Sequence, residues 1–363
     1  MAENAWLEIP NSNVSAVQPD LTAEPYNWIV TDWAGGSSAL TNAWCGGCWD
    51  SSRQRLILMG GGHADYPDNA VYAFDFQTFT WSRLTDPSVR PESNSGNDPP
   101  YWYHFADGAP ATWHTYAGLI YHPDLDALVI PAQHAVWSPN GHHGQESFKL
   151  SFPGNVWSQI NNQTLAGDPQ IGRGEYNPTD GLLYYAMSGS GGSGYTPLTY
   201  DDGTGNWTTY TLAQNVNLGG GQDELCIDVA RQRIYILGNG IGLIGGGHHG
   251  VLYDTVAAWG DDPTEPTPSG DTGILAEHLG AAYDPISEDI WMYAEERPTK
   301  VVRLDTSDHS LTEITTTSSP SGTDLTQNQH GVFGKWQYWV EEDRFVLYGR
   351  TTANVHVYRP QRS

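Results

Sequence analysis

The sequence predicts an all-β domain built as a closed ring of short antiparallel sheets. Three observations lead there: a composition of strand and turn formers, a four-strand unit that recurs along the chain, and a final unit short of one strand. The 41 Gly and 23 Pro supply turns, while 15 Trp and 20 Tyr favour strands. A length of 363 residues suits one large closed all-β domain with an ample core.

The unit is clearest over residues 48–84. A strand entering at Cys48-Trp49-Asp50 is followed by a polar turn and the apolar run Leu56-Ile57-Leu58-Met59. A Gly run with His63 comes next, then the alternating stretch 69–76, a turn, and a last strand marked by Trp81. The pattern returns over 117–160, 175–210, 225–259, 281–304 and 338–358. The last unit holds three strands, and the missing fourth should begin with Trp, as Ala5-Trp6-Leu7-Glu8 does. The N-terminal strand is therefore expected to close the ring and remove its open edges. This is a β-propeller, a single domain over 1–363, with six blades expected. A seventh hidden in 12–42 or 86–112 is the alternative.

Charge narrows the partners. A net charge of −26 excludes nucleic acid and an anionic membrane surface as natural partners. It is expected to keep the chain soluble and monomeric. Cys45-Gly46-Gly47-Cys48 is a lone C-x-x-C, so a zinc ribbon is not supported. A local disulfide or two buried thiols fit it better than a metal site completed by His63. The first residues carry no signal-peptide pattern, and no run is long and apolar enough to span a membrane. A secreted or periplasmic location is expected, the start being compatible with a mature chain that carries an added Met.

Propeller geometry tells where to look for a site. Neighbouring strands run antiparallel, so the start of each first strand and the end of each second strand meet at one mouth of the channel. His114, Arg173, Glu224, Glu277, His278 and His330 fall at or before first strands. His63, His134, Asn239, Glu295, Glu296, Arg297 and Arg350 fall after second strands. His114 and His134 stand twenty residues apart, the reach of one β-hairpin, and Arg173 opens the next blade between Gly172 and Gly174. A His pair with an Arg and a Tyr suits uronate chemistry. The Arg neutralises a carboxylate, a His or Tyr takes the acidified proton, and a second acid protonates the leaving oxygen.

The Gly run, the Tyr-containing strand and the spaced Trp resemble the kelch repeat. The hairpin pair resembles the propeller-fold polysaccharide lyases that cut ulvan or rhamnose–glucuronate linkages. That resemblance implies β-elimination on an acidic polysaccharide or oligosaccharide. His114 and His134 would be the matching histidines, and Arg173 the carboxylate clamp. Tyr116, Tyr185 and Tyr195 compete for the tyrosine role, with Tyr185 preferred. His63, Tyr116, His278, Arg297 and His330 are candidate substrate contacts. The mechanism needs no cofactor, and a structural calcium or zinc ion is compatible with it.

Two readings stand beside the lyase. A non-catalytic glycan- or protein-binding propeller would use the same aromatic mouth. A kelch-type hydrolase or copper oxidase would use Glu277 with Glu295 and Glu296, or Cys226 with a tyrosine partner. His248-His249 is expected in a turn, because adjacent strand residues point to opposite faces. The run 201–206 has oxygens that suit calcium but reads as a plain turn.

Overall fold

A computed structural model of the chain describes residues 1–363 apart from 21–22, 24, 27–35, 43, 62–67, 90–104, 106, 132–145, 161–170, 189–194, 213–215, 219–222, 239–240, 244–249, 262, 321–330 and 363. Six antiparallel sheets follow one another in chain order and form the blades of a β-propeller. Blade I is built from Gly47–Asp50, Arg55–Leu58, Tyr72–Asp75 and Thr80–Arg83. Blade II takes Ile120–His122, Ala127–Ile130, Ser147–Ser151 and Val156–Ile160. Blade III takes Ile171–Asn177, Leu182–Ser188, Tyr195–Asp201 and Asn206–Thr209. Blade IV has Asp223–Asp228, Arg233–Gly238 and Gly250–Thr255, after which Trp259 follows a 3-10 turn. Blade V has Gly280–Asp284, Asp289–Tyr293, Lys300–Leu304 and Ser310–Thr315, with Ser269–Gly270 added in parallel at its outer edge. Blade VI has Trp336–Trp339, Arg344–Leu347 and His356–Arg359.

The fourth strand of blade VI is Ala5–Glu8, antiparallel to its third, with Trp6 opposite Tyr358. The ring is closed by the N-terminal strand, as the sequence predicts. Among the described residues of 12–42 and 86–112 there is no strand, so six blades account for the ring.

Side-chain alternation explains why the second strands read as unbroken apolar runs. In blade I, Leu56 and Leu58 pack against Val346 and Tyr348 of blade VI. Ile57 and Met59 pack against Leu128 and Ile130 of blade II. A strand buried on both faces has no polar side to show. The core is thus six separate apolar layers, one at each junction between blades.

The recurring Trp serves these junctions. Trp81, Trp259 and Trp6 lie near Tyr348, Tyr184 and Tyr293 of the preceding blade, with ring centroids 4.9, 5.7 and 5.1 Å apart. The indole N–H of Trp259 donates to the Leu198 carbonyl at 3.0 Å, which ties blade IV to blade III. At the other end of the strands, the turn from first to second strand has one left-handed residue in every blade. These are Gln54, Asp126, Gly181, Gln232, Glu288 and Asp343.

Candidate functional site

Pairing registers place the predicted mouth where the sequence puts it. Gly172 faces Met187, Asp223 faces Gly238 and Gly280 faces Tyr293, so first-strand starts and second-strand ends share one rim. At this rim Trp44, Tyr116 and Phe333 precede the first strands of blades I, II and VI. Each has a positive φ: 51°, 44° and 46°. Bulky residues rarely adopt that conformation, and such strain gathers where a structure holds a site in place. The Tyr116 and Phe333 rings meet edge to face at 5.6 Å, and Trp44 packs against the same cluster.

His114 belongs to this cluster. It is buried, with its ring 4.5 Å from Trp44 and 6.0 Å from Tyr116. The Tyr116 N–H donates to the Trp44 carbonyl at 2.7 Å, which fixes the entry of blade II against that of blade I.

Blade III docks beside it through a parallel bridge between Ala117 and Arg173, and Gly174 N–H donates to the Ala117 carbonyl at 3.0 Å. The flanking glycines of Arg173 have a clear purpose. A Cβ on Gly172 would stand 1.4 Å from the Tyr185 hydroxyl, and one on Gly174 would meet the Tyr185 ring at 2.8 Å. Tyr185 therefore fills the space that both glycines leave. It sits in the apolar layer between blades II and III.

Arg173 is sealed from solvent, and its Nη2 lies 2.6 Å from Oδ1 of Asp223 at the start of blade IV. This is a charge contact rather than an aligned hydrogen bond. Among the described residues, none of the guanidinium nitrogens and neither Asp223 oxygen has a directed hydrogen-bond partner. Burial pushes the Asp223 carboxyl up to about 7, with Arg173 opposing. Burial also raises the Tyr116 and Tyr185 hydroxyls far above their ordinary range, and the Arg173 charge acts against that rise in both. His114, Tyr116, Arg173 and Tyr185 are thus brought together across blades II and III.

The blade V candidates are already engaged, and Val332 N–H donates to the His278 carbonyl at 3.0 Å beside the Phe333 entry. His278 Nδ1 stands 2.6 Å from Oε1 of Glu296, whose hydrogen bond raises the imidazole pKa. Glu296 is lowered: burial, the largest single influence, would raise it, and the hydrogen bond and charge of His278 together with backbone hydrogen bonds outweigh that. Arg297 pairs with Glu313 at 2.9 Å and Glu277 at 3.5 Å. His63, His134 and His330 lie outside the described residues, as do Asn239 and His248-His249. Tyr195 opens the third strand of blade III.

Sequence reasoning missed Lys335. It is fully buried at the start of blade VI, its Nζ donating to the carbonyls of Thr41 at 2.9 Å and Cys45 at 2.8 Å. Burial pulls this amine down and pushes Glu295 up, while each charge offsets part of the other's shift. The only available signal was a lone Lys just ahead of a predicted first strand in a chain with few cations. Cys45, Cys48 and Cys226 are buried thiols that form no disulfide, and Cys45 Sγ donates to the Trp113 carbonyl at 3.8 Å. Burial raises the thiol pKa of Cys48 and Cys226, which suits packing rather than reactivity. Residues 201–206 form the expected turn between strands, closed by Gly205 N–H to Asp201 carbonyl at 2.8 Å. Among the described residues no three His, Cys, Asp or Glu side chains are grouped as metal ligands. None of the described helices is long and apolar enough to cross a membrane.

No protein-family model matches the chain, and no curated protein matches it. Solved structures do. An auxiliary nutrient binding protein from Bacteroides thetaiotaomicron has a TM-score of 0.50 and 13% identity, over 88% of this chain and 69% of that one. TolB from Acinetobacter baumannii has a TM-score of 0.46 and 12% identity, over 76% of this chain and 54% of its own. A chain of a nidogen/laminin complex has a TM-score of 0.45 and 9% identity, over 75% of this chain and 78% of that one. The chain spans about half the length of the TolB structure. At such identities the likeness concerns the fold alone, and that fold is the β-propeller.

Proposed function

We propose that this is a carbohydrate-active propeller of kelch type that cleaves a uronic-acid-containing polysaccharide by β-elimination. One observation carries the reading: His114, Tyr116, Arg173 and Tyr185 converge at a mouth whose entry residues Trp44, Tyr116 and Phe333 are all held in the left-handed region. Strain and buried charge both cost stability, and a purely structural rim needs neither.

In this reading the substrate enters across the rim with its uronate ring over His114. A tyrosinate or neutral histidine removes the proton beside the carboxylate. The bond from the neighbouring ring carbon to the glycosidic oxygen breaks as the ring double bond forms, and a protonated His or Tyr supplies the leaving oxygen with its proton. His134 is the second histidine of the pair. The Arg173 charge favours the ionised form of Tyr185 or Tyr116, which burial otherwise suppresses. A direct clamp on the substrate carboxylate would require Asp223 to yield Arg173; the electrostatic role does not. His278 and Arg297 would contact the polymer further along the rim, and His63 and His330, outside the described residues, are the remaining candidate contacts.

The test is a panel of acidic polysaccharides, including ulvan and other glucuronate polymers, scored by ultraviolet absorbance for unsaturated products with and without chelator. Product formation that is lost in His114→Ala supports the reading. Saturable binding of a polymer with no unsaturated product would move the chain to the non-catalytic glycan-binding class.

A further inference from the structure

The channel has a second mouth, at the turns that end the first strands, and it is chemically unlike the rim just described. A cavity of about 620 Å³ opens there and is lined by first-strand residues of all six blades. Equivalent positions carry Trp49, Tyr121, Tyr176, Tyr283 and Tyr338, with Ile227 completing the collar in blade IV. Three of the four phenol hydroxyls bond to carboxylates: Tyr121 to Asp126 at 3.1 Å, Tyr176 to Asp124 at 2.7 Å, Tyr338 to Asp343 at 2.8 Å.

At the inner end stand two acids from neighbouring first strands, Glu175 and Glu224, both lining the cavity. Glu175 Oε2 accepts the Ile227 N–H at 2.6 Å. Glu224 is 4% exposed, and its Oε2 has no hydrogen-bond partner among the described residues. Arg173 is the cation that acts on Glu224, and it is already paired with Asp223. Two carboxyls, Asp223 and Glu224, thus share one guanidinium, and the charge of Glu175 bears on Glu224 as well.

We propose that this channel binds a small organic molecule bearing a primary ammonium group, which enters through the aromatic collar and donates N–H bonds to Glu224 and Glu175. The aromatic lining accepts an apolar body and attracts a cation over its ring faces. An acceptor without a partner calls for N–H donors, which a quaternary ammonium lacks. A divalent metal ion would need more oxygen ligands than two carboxyls supply. A volume near 620 Å³ falls in the range of small-molecule sites. Burial raises both acids, Glu175 to about 8, so an arriving ammonium also restores their charged state.

The experiment is isothermal titration calorimetry at pH 8 with four probes: phenethylamine, 2-phenylethanol, phenyltrimethylammonium and calcium chloride. Phenethylamine should bind saturably, and the alcohol and the quaternary ion at least about tenfold more weakly. Glu224→Gln should weaken phenethylamine by about tenfold to a hundredfold. Ser51→Trp, at an exposed position on the collar, should weaken it as well, and decides the matter if the Glu224 variant fails to fold. Equal binding of the alcohol or the quaternary ion would overturn the proposal. So would saturable calcium binding that excludes the amine, or no saturable heat from phenethylamine with the folded wild-type protein. His114→Ala, at the opposite mouth, should leave amine binding unchanged, so this site and the proposed lyase site stand or fall separately.

Discussion

Replacing Arg173 by Met removes one member of a fully buried ion pair and leaves Asp223 without its counter-charge. Losing one partner of such a pair typically costs about 3–5 kcal/mol when the remaining group stays ionised. Asp223 has an escape, since burial already holds its carboxyl near 7, and without Arg173 it rises further. At pH 6 the variant's Asp223 is neutral in the fold, and the penalty is small. Above 7, the wild-type carboxyl ionises in the fold while the variant's does not. The deficit should then grow by about 1.4 kcal/mol per pH unit, reaching about 2 kcal/mol at pH 8.5. With an unfolding entropy of about 2.1 cal/mol/K per residue, that corresponds to a Tm lower by about 3 °C at pH 8.5 than at pH 6, relative to wild type. Calorimetric melts at the two pH values read it directly. A deficit equal at both would refute the pairing argument. The double variant Arg173→Met/Asp223→Leu removes both charges and should recover stability near wild type at either pH. If the proposed lyase chemistry uses the Arg173 charge, this double variant is folded and inactive; full activity per folded molecule would reduce Arg173 to a strut between blades III and IV.

Three further outcomes are expected. Trp6→Ala empties the contact of the closing strand with Tyr293, Trp336 and Tyr358 and should cost about 3–5 kcal/mol, lowering Tm by about 5 °C; an unchanged melt would disprove closure by this strand. Tyr185→Phe keeps the ring in its layer but deletes the hydroxyl, so turnover on a uronate polymer should fall about a hundredfold with little change in Tm, while loss of both would mark Tyr185 as structural only. Stability should fall as pH rises from about 5 to 8. Burial raises Asp289 to about 6, Asp223 and Asp254 to about 7 and Glu175 to about 8, so the folded state holds protons that the unfolded state has released. Melts at pH 5.5 and 8.5 check the sign, and a higher Tm at pH 8.5 would contradict it.

The fold was legible because a propeller repeats its reasons. Apolar runs such as Leu56-Ile57-Leu58-Met59 report a strand buried on both faces, and the spaced Trp reports the contact each blade makes with the one before it. Ring closure followed from a unit one strand short and a terminus with the matching Trp. The rim was legible only as far as strand direction carries. That places His114, Tyr116, Arg173 and Tyr185 at one end, but it does not say what each side chain meets. Asp223 as the partner of Arg173 depends on how the first strands of blades III and IV face each other. Strand alternation does relate Arg173 to Glu175 two residues on, and both turn toward blade IV, one to Asp223 and the other to the Ile227 amide. The left-handed Trp44 and Phe333 had no pattern to betray them, because a positive φ at a bulky residue runs against local preference.

That asymmetry between the two ends of the strands bears on function. At the turn end every blade solves the same problem in the same way, with one left-handed residue and polar contacts to the next blade. Arg53 binds Asp126 at 2.5 Å, Arg231 donates to Thr306 at 2.8 Å, and Arg362 joins Asp284 to Asp343. Such regularity holds the ring together and leaves the opposite rim free to depart from it. The departures are there: Asp223 and Glu295 each keep a carboxylate oxygen without a hydrogen bond among the described residues, and both lie at the rim end of a first or second strand. A buried carboxyl left unsatisfied lowers stability, and an apolar residue of similar volume would raise it. A chain that keeps them beside strained aromatics and a sealed Arg173–Asp223 pair gives up stability where six regular junctions can bear the loss. In the proposed reading it gains there the shifted acids and bases that proton transfer requires.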